Sequence, residues 1–144
     1  MKISRLNKEI EGFNKVQRYL NEKNIVFFIK EHKIYIPYEI NEKKFQITIQ
    51  ILGENWIVAR SLIIKRELVK DEIYCDLLKE LLINMHETPE ITFDIDYDGN
   101  IYASADMRLD IIDYDNFYSG FYSIPFGIKK FIEKIAPKYN LKIL

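Results

Sequence analysis

Two runs of strict alternation meet around a single tight turn near residue 99, and they constrain the fold more than anything else in the chain. Ile91, Phe93, Ile95 and Tyr97 alternate with Thr92, Asp94 and Asp96. Beyond Asp98-Gly99-Asn100, Ile101, Ala103, Ala105 and Met107 alternate with Tyr102, Ser104 and Asp106. A period of two places each apolar set on one face of an extended strand. Both sets share a face only if Tyr97 lies opposite Ile101 and Phe93 opposite Ala105, which requires an odd-numbered turn. The same logic applies upstream, where Phe45, Ile47, Ile49 and Ile51 alternate with Gln46, Thr48 and Gln50. That segment reads as a half-buried strand with one wet face. Gly53-Glu54-Asn55 is then a turn, and Trp56 to Ile64 the returning strand.

Helical periods frame these strands. Leu6, Ile10, Phe13, Val16 and Leu20 recur at three- and four-residue steps, which predicts an amphipathic helix with Ser4 as N-cap and a polar stop from Asn21 to Asn24. Gly12 costs that helix about 1 kcal/mol relative to alanine, so it must lean on tertiary packing. Ile25 to Lys30 reads as a strand, Glu31-His32-Lys33 as a turn and Ile34 to Tyr38 as a further strand, short or at an edge because Pro37 cannot donate to a ladder. A wide apolar face from about Val69 to Met85 predicts the main core helix, with Asp71 and Glu72 favourably placed at its N-terminal end and Cys75 as a small core residue. Thr88-Pro89 breaks it. The last helix runs from about Asp115 to Lys138, carrying Phe117, Phe121, Ile124, Ile128, Phe131 and Ile135 through Pro125 as one kinked helix or two collinear ones, the second capped by Ser123. The expected order is α-β-β-β(-β)-α-β-β-α. This is an α+β fold with a largely antiparallel sheet and helices on one face.

The 144 residues fit one domain, and 48% hydrophobic with 30% charged residues is a globular composition. The net charge of −1 lacks the basic excess of a nucleic-acid binder, and Lys43-Lys44 and Lys129-Lys130 read as solvated surface. A lone cysteine excludes an internal disulfide. Neither a leader-like apolar run nor a membrane-length stretch is present, so a cytoplasmic protein without membrane partners is expected. Abundant Ile and Lys with little Gln fit either a thermophilic source or a genome of low GC content.

No residue pattern specifies catalysis. Asp94 to Ile101 matches the first eight positions of an EF-hand loop, but Ala105 stands where the bidentate glutamate belongs, and the alternating flanks are strands. A hairpin turn explains Asp-Gly without calcium. His32 and His86 have no ligand-type company and are expected to be exposed. Asp106, Asp110, Asp113 and Asp115 lead into the last helix, where Asp113 and Asp115 suit capping and the helix dipole. No glycine-rich phosphate loop or nucleophile elbow occurs. No metal or cofactor is expected. Tyr114, Tyr118, Tyr122 and Phe126 add a second aromatic stripe to the last helix, which suits either a partner surface or a row wrapping the sheet edge. With Trp56, which stands just past a turn, Tyr114, Tyr118 and Tyr122 are the candidate partner-binding residues.

Leu77-Leu78-Lys79-Glu80-Leu81-Leu82-Ile83-Asn84, followed by Ile91-Thr92-Phe93-Asp94-Ile95-Asp96, Asp98-Gly99-Asn100-Ile101-Tyr102 and an aromatic-rich final helix, resembles the YbjN family. Tyr19 to Asn24 fits as the end of a helix entering the first strand. That family shares the fold of the type III secretion chaperones, so the resemblance implies the same element order, no enzymatic activity, homodimerisation and binding of another polypeptide. The expected function is therefore a chaperone-like or adaptor module that holds a partner segment on a strand edge or in an apolar groove. The alternative is a small-molecule sensor or an enzyme without a recognised signature. Its site would lie between the last helix and the sheet and use Tyr hydroxyls with Asp106 or Asp110.

Overall fold

The computed structural model of the protein describes residues 2–53 and 55–143; of residues 2–6 it describes the backbone alone. Helix α1 (Lys2–Glu22) starts ahead of Ser4, so the predicted N-cap lies within the helix. The side chains of Ser4 and Leu6 lie outside those described, as does Glu54 of the predicted turn. Val16 and Leu20 are fully buried with Tyr19 beside them, whereas Ile10, on the same predicted face, is half exposed. The helix ends in a Schellman motif. Asn24 takes a left-handed conformation (φ 56°), Ile25 N–H reaches back to the Leu20 carbonyl at 3.0 Å, and Asn24 N–H reaches Asn21 at 3.0 Å.

Four strands follow as a meander: β1 (Phe28–Lys30), β2 (Lys33–Ile40), β3 (Lys43–Leu52) and β4 (Trp56–Ile64). The segment expected at 34–38 is thus a true strand and longer than predicted. The turns Glu31-His32 and Asn41-Glu42 have positive φ at both residues, the twist-matched geometry of two-residue hairpins. A 3-10 turn (Arg66–Leu68) leads to α2 (Asp71–Glu87), then to β5 (Phe93–Ile95) and β6 (Ile101–Arg108). A second 3-10 turn (Leu109–Ile111) precedes α3 (Tyr114–Lys130), which continues as a π-turn and a 3-10 turn to Tyr139. The sheet order is β1-β2-β3-β4-β6-β5, antiparallel throughout.

Register divides the sheet into a covered and an open face. Ile36, Ile47, Ser61 and Ala103 form one cross-sheet row on the covered side, and Ile34, Ile49, Ala59 and Ala105 the next. Tyr35, Thr48, Arg60 and Ser104 form a row on the open side. A bulge at Ile63 lets Leu62 face the open side and Ile64 the core.

Four expectations are corrected. The hairpin pairs Phe93 with Ala103 and Ile95 with Ile101, so its loop spans five residues, 96–100, and Tyr97 is thrown fully into solvent. The core helix is α3, which buries Phe117, Phe121, Ile124 and Ile128 against β6, β4 and β2. Helix α2 sits by the short outer strand β5 and buries only Leu77 and Leu81, leaving Leu82 and Ile83 exposed. Cys75, on the uncovered side of α2, is exposed rather than a core residue. Helix α3 runs unbroken through Pro125, and Ser123, instead of capping a second helix, donates to the Gly120 carbonyl at 2.6 Å. Asp113 does cap α3, accepting from Asn116 N–H at 2.8 Å.

Candidate interaction surfaces

The aromatic stripe of α3 divides into a buried half and an exposed half. Tyr118 is buried and donates its hydroxyl to the Tyr19 carbonyl at the end of α1. Tyr114 stands edge-on to Tyr19 (6.0 Å between centroids, 88°) and to Tyr118 (4.2 Å, 75°). The Lys23 ammonium lies 5.6 Å and 5.1 Å from the Tyr114 and Tyr118 rings. Tyr114 and Tyr118 are therefore part of the seam that joins α1 to α3. Burial, and then the neighbouring Tyr114 hydroxyl, push the Tyr118 hydroxyl well above the ordinary phenol range. Tyr122 and Phe126 are the exposed members of the stripe, at 47% and 56% exposure, while Tyr114 is partly buried. Trp56 is 46% exposed and alternates with buried Ile57, so it points to the open face of the sheet, between Leu52 and Arg108. The sheet separates Trp56 from Tyr122, and the two cannot meet one small ligand.

Strand β1 forms the most apolar edge. Val26 is 77% exposed, and Phe28 and Ile29 are each about half exposed. Phe28 stacks on Tyr35 at 5.2 Å and 16°. β1 is the first strand of the sheet and has a partner only on its β2 side, so its outer N–H and C=O groups face outward. β1 pairs with residues 33–35 alone, so β2 has no strand on its β1 side from Ile36 to Ile40. Pro37 falls in this stretch, where a missing donor costs the sheet least. The sequence signal for this edge was an apolar run without alternation, Ile25 to Ile29, next to a strand containing proline.

The open face is concave and encloses about 840 Å³. Gln46, Thr48, Gln50 and Val58 floor it, and Lys33, Lys44, Arg60 and Lys65 stand around it with Glu67. None of these four cations forms an ion pair among the described residues.

A smaller groove of about 410 Å³ lies between α3 and β6, where the alternative reading expected a site. Asp106 lines it, but no tyrosine does. Asp110 is held by Arg108 at 2.8 Å and 3.1 Å, and these bonds lower its pKa. The calcium-like segment is self-satisfied. Asp96 accepts from Asp98 N–H, Asn100 N–H, Asn100 Nδ2 and the Tyr102 hydroxyl at 2.9–3.1 Å, and Asp94 accepts from Ser104 Oγ at 2.6 Å. No group of three or more potential metal ligands occurs among the described residues. His32 and His86 are both exposed. Among the described residues, no helix is long and apolar enough to cross a membrane.

No family model matches the chain, and no curated protein matches it in sequence. Solved structures do match its fold. YbjN from E. coli, described as a putative transcription regulator, superposes with a TM-score of 0.62 over 92% of this chain and 95% of its own, at 14% identity. A chain of the heterodimeric ExoU–SpcU complex from the type III secretion system of Pseudomonas aeruginosa gives 0.59, 83%, 97% and 13%. The Yersinia pestis type III secretion chaperone SycH, solved in complex with a fragment of another protein, gives 0.52, 80%, 94% and 13%. With open edges, a self-satisfied acidic loop and this set of likenesses, the chain has the fold shared by YbjN and the type III secretion chaperones.

Proposed function

We propose that the protein is a non-enzymatic, cytoplasmic interaction module of chaperone or adaptor type, which holds an extended segment of another polypeptide along the β1 edge. The observation that carries this reading is β1 itself: three residues, each exposed, two of them large and apolar, with an unpaired outer backbone. A segment added there gains main-chain hydrogen bonds from the edge, and Val26, Phe28, Ile29 and Tyr35 offer it apolar contacts. Solved relatives in fold that are complexes with other proteins support the same kind of role. Tyr122 and Trp56 remain candidate outer contacts. Homodimerisation is supported by the exposed apolar set Leu82, Ile83, Ile95 and Tyr97 on α2 and the β5 end of the sheet, well away from β1 in strand order.

The test compares tagged wild type with a Phe28→Lys/Ile29→Lys double variant in pull-downs from the native cell extract. One co-purifying polypeptide in stoichiometric amount, lost in the variant at unchanged circular dichroism, is the expected result. Equal capture by both chains, or capture by neither, overturns the β1 reading.

A further inference from the structure

The open face carries a charge distribution that the whole-chain total conceals. We infer that this concavity binds an extended, acidic polypeptide segment. The inference rests on the reading of the protein as a polypeptide-binding module and adds the chemistry of what is bound.

Lys33, Lys44, Arg60 and Lys65 are exposed and line one concave surface, and the lining contains a single carboxylate, Glu67. Glu39 faces Lys44 across the strands, and Asp106 faces Val58. Neither engages the four lysine and arginine side chains in an ion pair among the described residues. Arg66, Arg108 and Lys138, outside this lining, do pair, with Asp71, Asp110 and Glu80. Four exposed cations with no ion-pair partner among the described residues, against one carboxylate, share this concavity, which makes its field positive on a chain of net charge −1.

Spacing then decides the kind of anion. Lys33 and Glu39 stand six residues apart on β2, and Glu39 faces Lys44, so Lys33 and Lys44 mark ends about 20 Å apart. Arg60 lies between them, opposite Thr48. A single small anion cannot engage both ends, whereas an extended chain of about six residues spans them. The floor chooses between polymers. Single-stranded nucleic acid is held by aromatic platforms beneath successive bases. The only aromatic side chain on the open side of this lining is Tyr102, whose hydroxyl is committed to Asp96. Gln46, Thr48 and Gln50 instead present amides and a hydroxyl at two-residue intervals along β3, suited to the main chain and polar side chains of a peptide.

The test uses a fluorescein-labelled peptide of alternating Glu and Thr, about eight residues long, with a Lys-Thr peptide and an oligothymidine as comparators, followed by anisotropy. The Glu-Thr peptide is expected to bind at least about tenfold more tightly than the Lys-Thr peptide, and to weaken about tenfold with Arg60→Glu or Lys44→Glu. Raising salt from roughly 50 to roughly 300 mM should weaken it further. Both substitutions are of exposed side chains, and thermal melting of each variant checks the fold. Equal affinity for the two peptides, insensitivity to both charge reversals, or tighter binding of the oligonucleotide overturns the inference. Failure of the probe together with intact β1-dependent capture overturns this inference and leaves the β1 reading standing. Failure of capture with intact probe binding does the reverse.

Discussion

The hydroxyl of Tyr118 closes on the backbone carbonyl of Tyr19, 99 residues away in sequence. Tyr19 lies in the last turn of α1, and Lys23 N–H, its usual helical partner, bonds to the Leu20 carbonyl instead. The tyrosine hydroxyl therefore satisfies a buried carbonyl that the helix end leaves over. Tyr118→Phe keeps the ring and removes the donor. It should cost about 1–3 kcal/mol in urea denaturation, the range for a buried acceptor left unpaired. An unchanged unfolding midpoint would show that water takes the place of the hydroxyl.

Alkaline pH should loosen the C-terminal turn. Tyr139 donates to Glu80 Oε2 at 2.8 Å, and burial followed by that bond pushes its hydroxyl up to about 12. The folded value lies above the ordinary 10 of tyrosine. The contribution to stability is thus fully present below pH 10 and is lost as pH rises through the folded value. In Tyr139→Phe the loss of stability between about pH 10 and 12 should be shallower than in wild type, as read from denaturation midpoints at each pH. Parallel curves would remove Tyr139 from the account.

Gly99 should not accept a side chain. Its φ is 86°, and a Cβ there would stand 2.9 Å from the Tyr74 hydroxyl and 3.1 Å from Arg66 Cδ. Tyr74 also donates to the Gly99 carbonyl at 2.7 Å, so it cannot retreat without losing that bond. Gly99→Ala should cost about 1–3 kcal/mol. Amide exchange would report the damage locally, with faster exchange at Gly99 and Asn100 than in wild type.

Acid should release the 96–100 loop, and calcium should leave it alone. The Asn100 side chain, the backbone N–H groups and Tyr102 hold the Asp96 carboxyl below its ordinary 3.8. A depressed value means that the stabilisation is present above the unfolded pKa and is lost as pH falls through the folded one. NMR titration should show the Asp98 and Asn100 amides losing protection below about pH 4, and Asp96→Ala should show the same loss at neutral pH. Calorimetric titration with calcium should be flat, because the Asp96 oxygens are already occupied by protein donors. Micromolar calcium binding would reverse this assignment.

These particulars show what the chain makes legible and where local chemistry intervenes. Alternation located β3 and β6 because one face of each is buried and the other wet, and the Gly53-Glu54-Asn55 turn located β4 as the returning strand. The same rule misjudged the register of β5 on β6, since it weighed side-chain faces and not the backbone bonds that Asp96 captures. A carboxylate that satisfies Asp98 and Asn100 N–H widens the loop to five residues and expels Tyr97, which the pattern had placed in the ladder. Helix α2 misled for a different reason. Its apolar face is broad, but breadth says nothing of how much sheet is left to cover, and α3 had taken the centre. The tyrosine stripe was readable as a stripe. Its division into a seam and an exposed end depends on where α1 stops, a fact held in the Asn24 turn. The cationic concavity was hidden because its four members come from β2, β3, β4 and the turn after it, and only the pairing register gathers them.

Because β4 pairs directly with β6, everything from Arg66 to Asn100 is an excursion that leaves the sheet and returns to the place it left. Arg66 N–H meets the Asn100 side-chain oxygen at 2.9 Å, closing the neck across 34 positions of sequence. The β1–β4 meander, α1 and α3 hold one another without this segment, so α2 and β5 form the piece whose opening asks least of the rest. The connectivity predicts two rates of opening: slow for the meander and its covering helices, fast for the looped-out flank beyond β6. A protease that cuts intact folded chains through brief local openings would make its first cut there, and the sheet would outlive it.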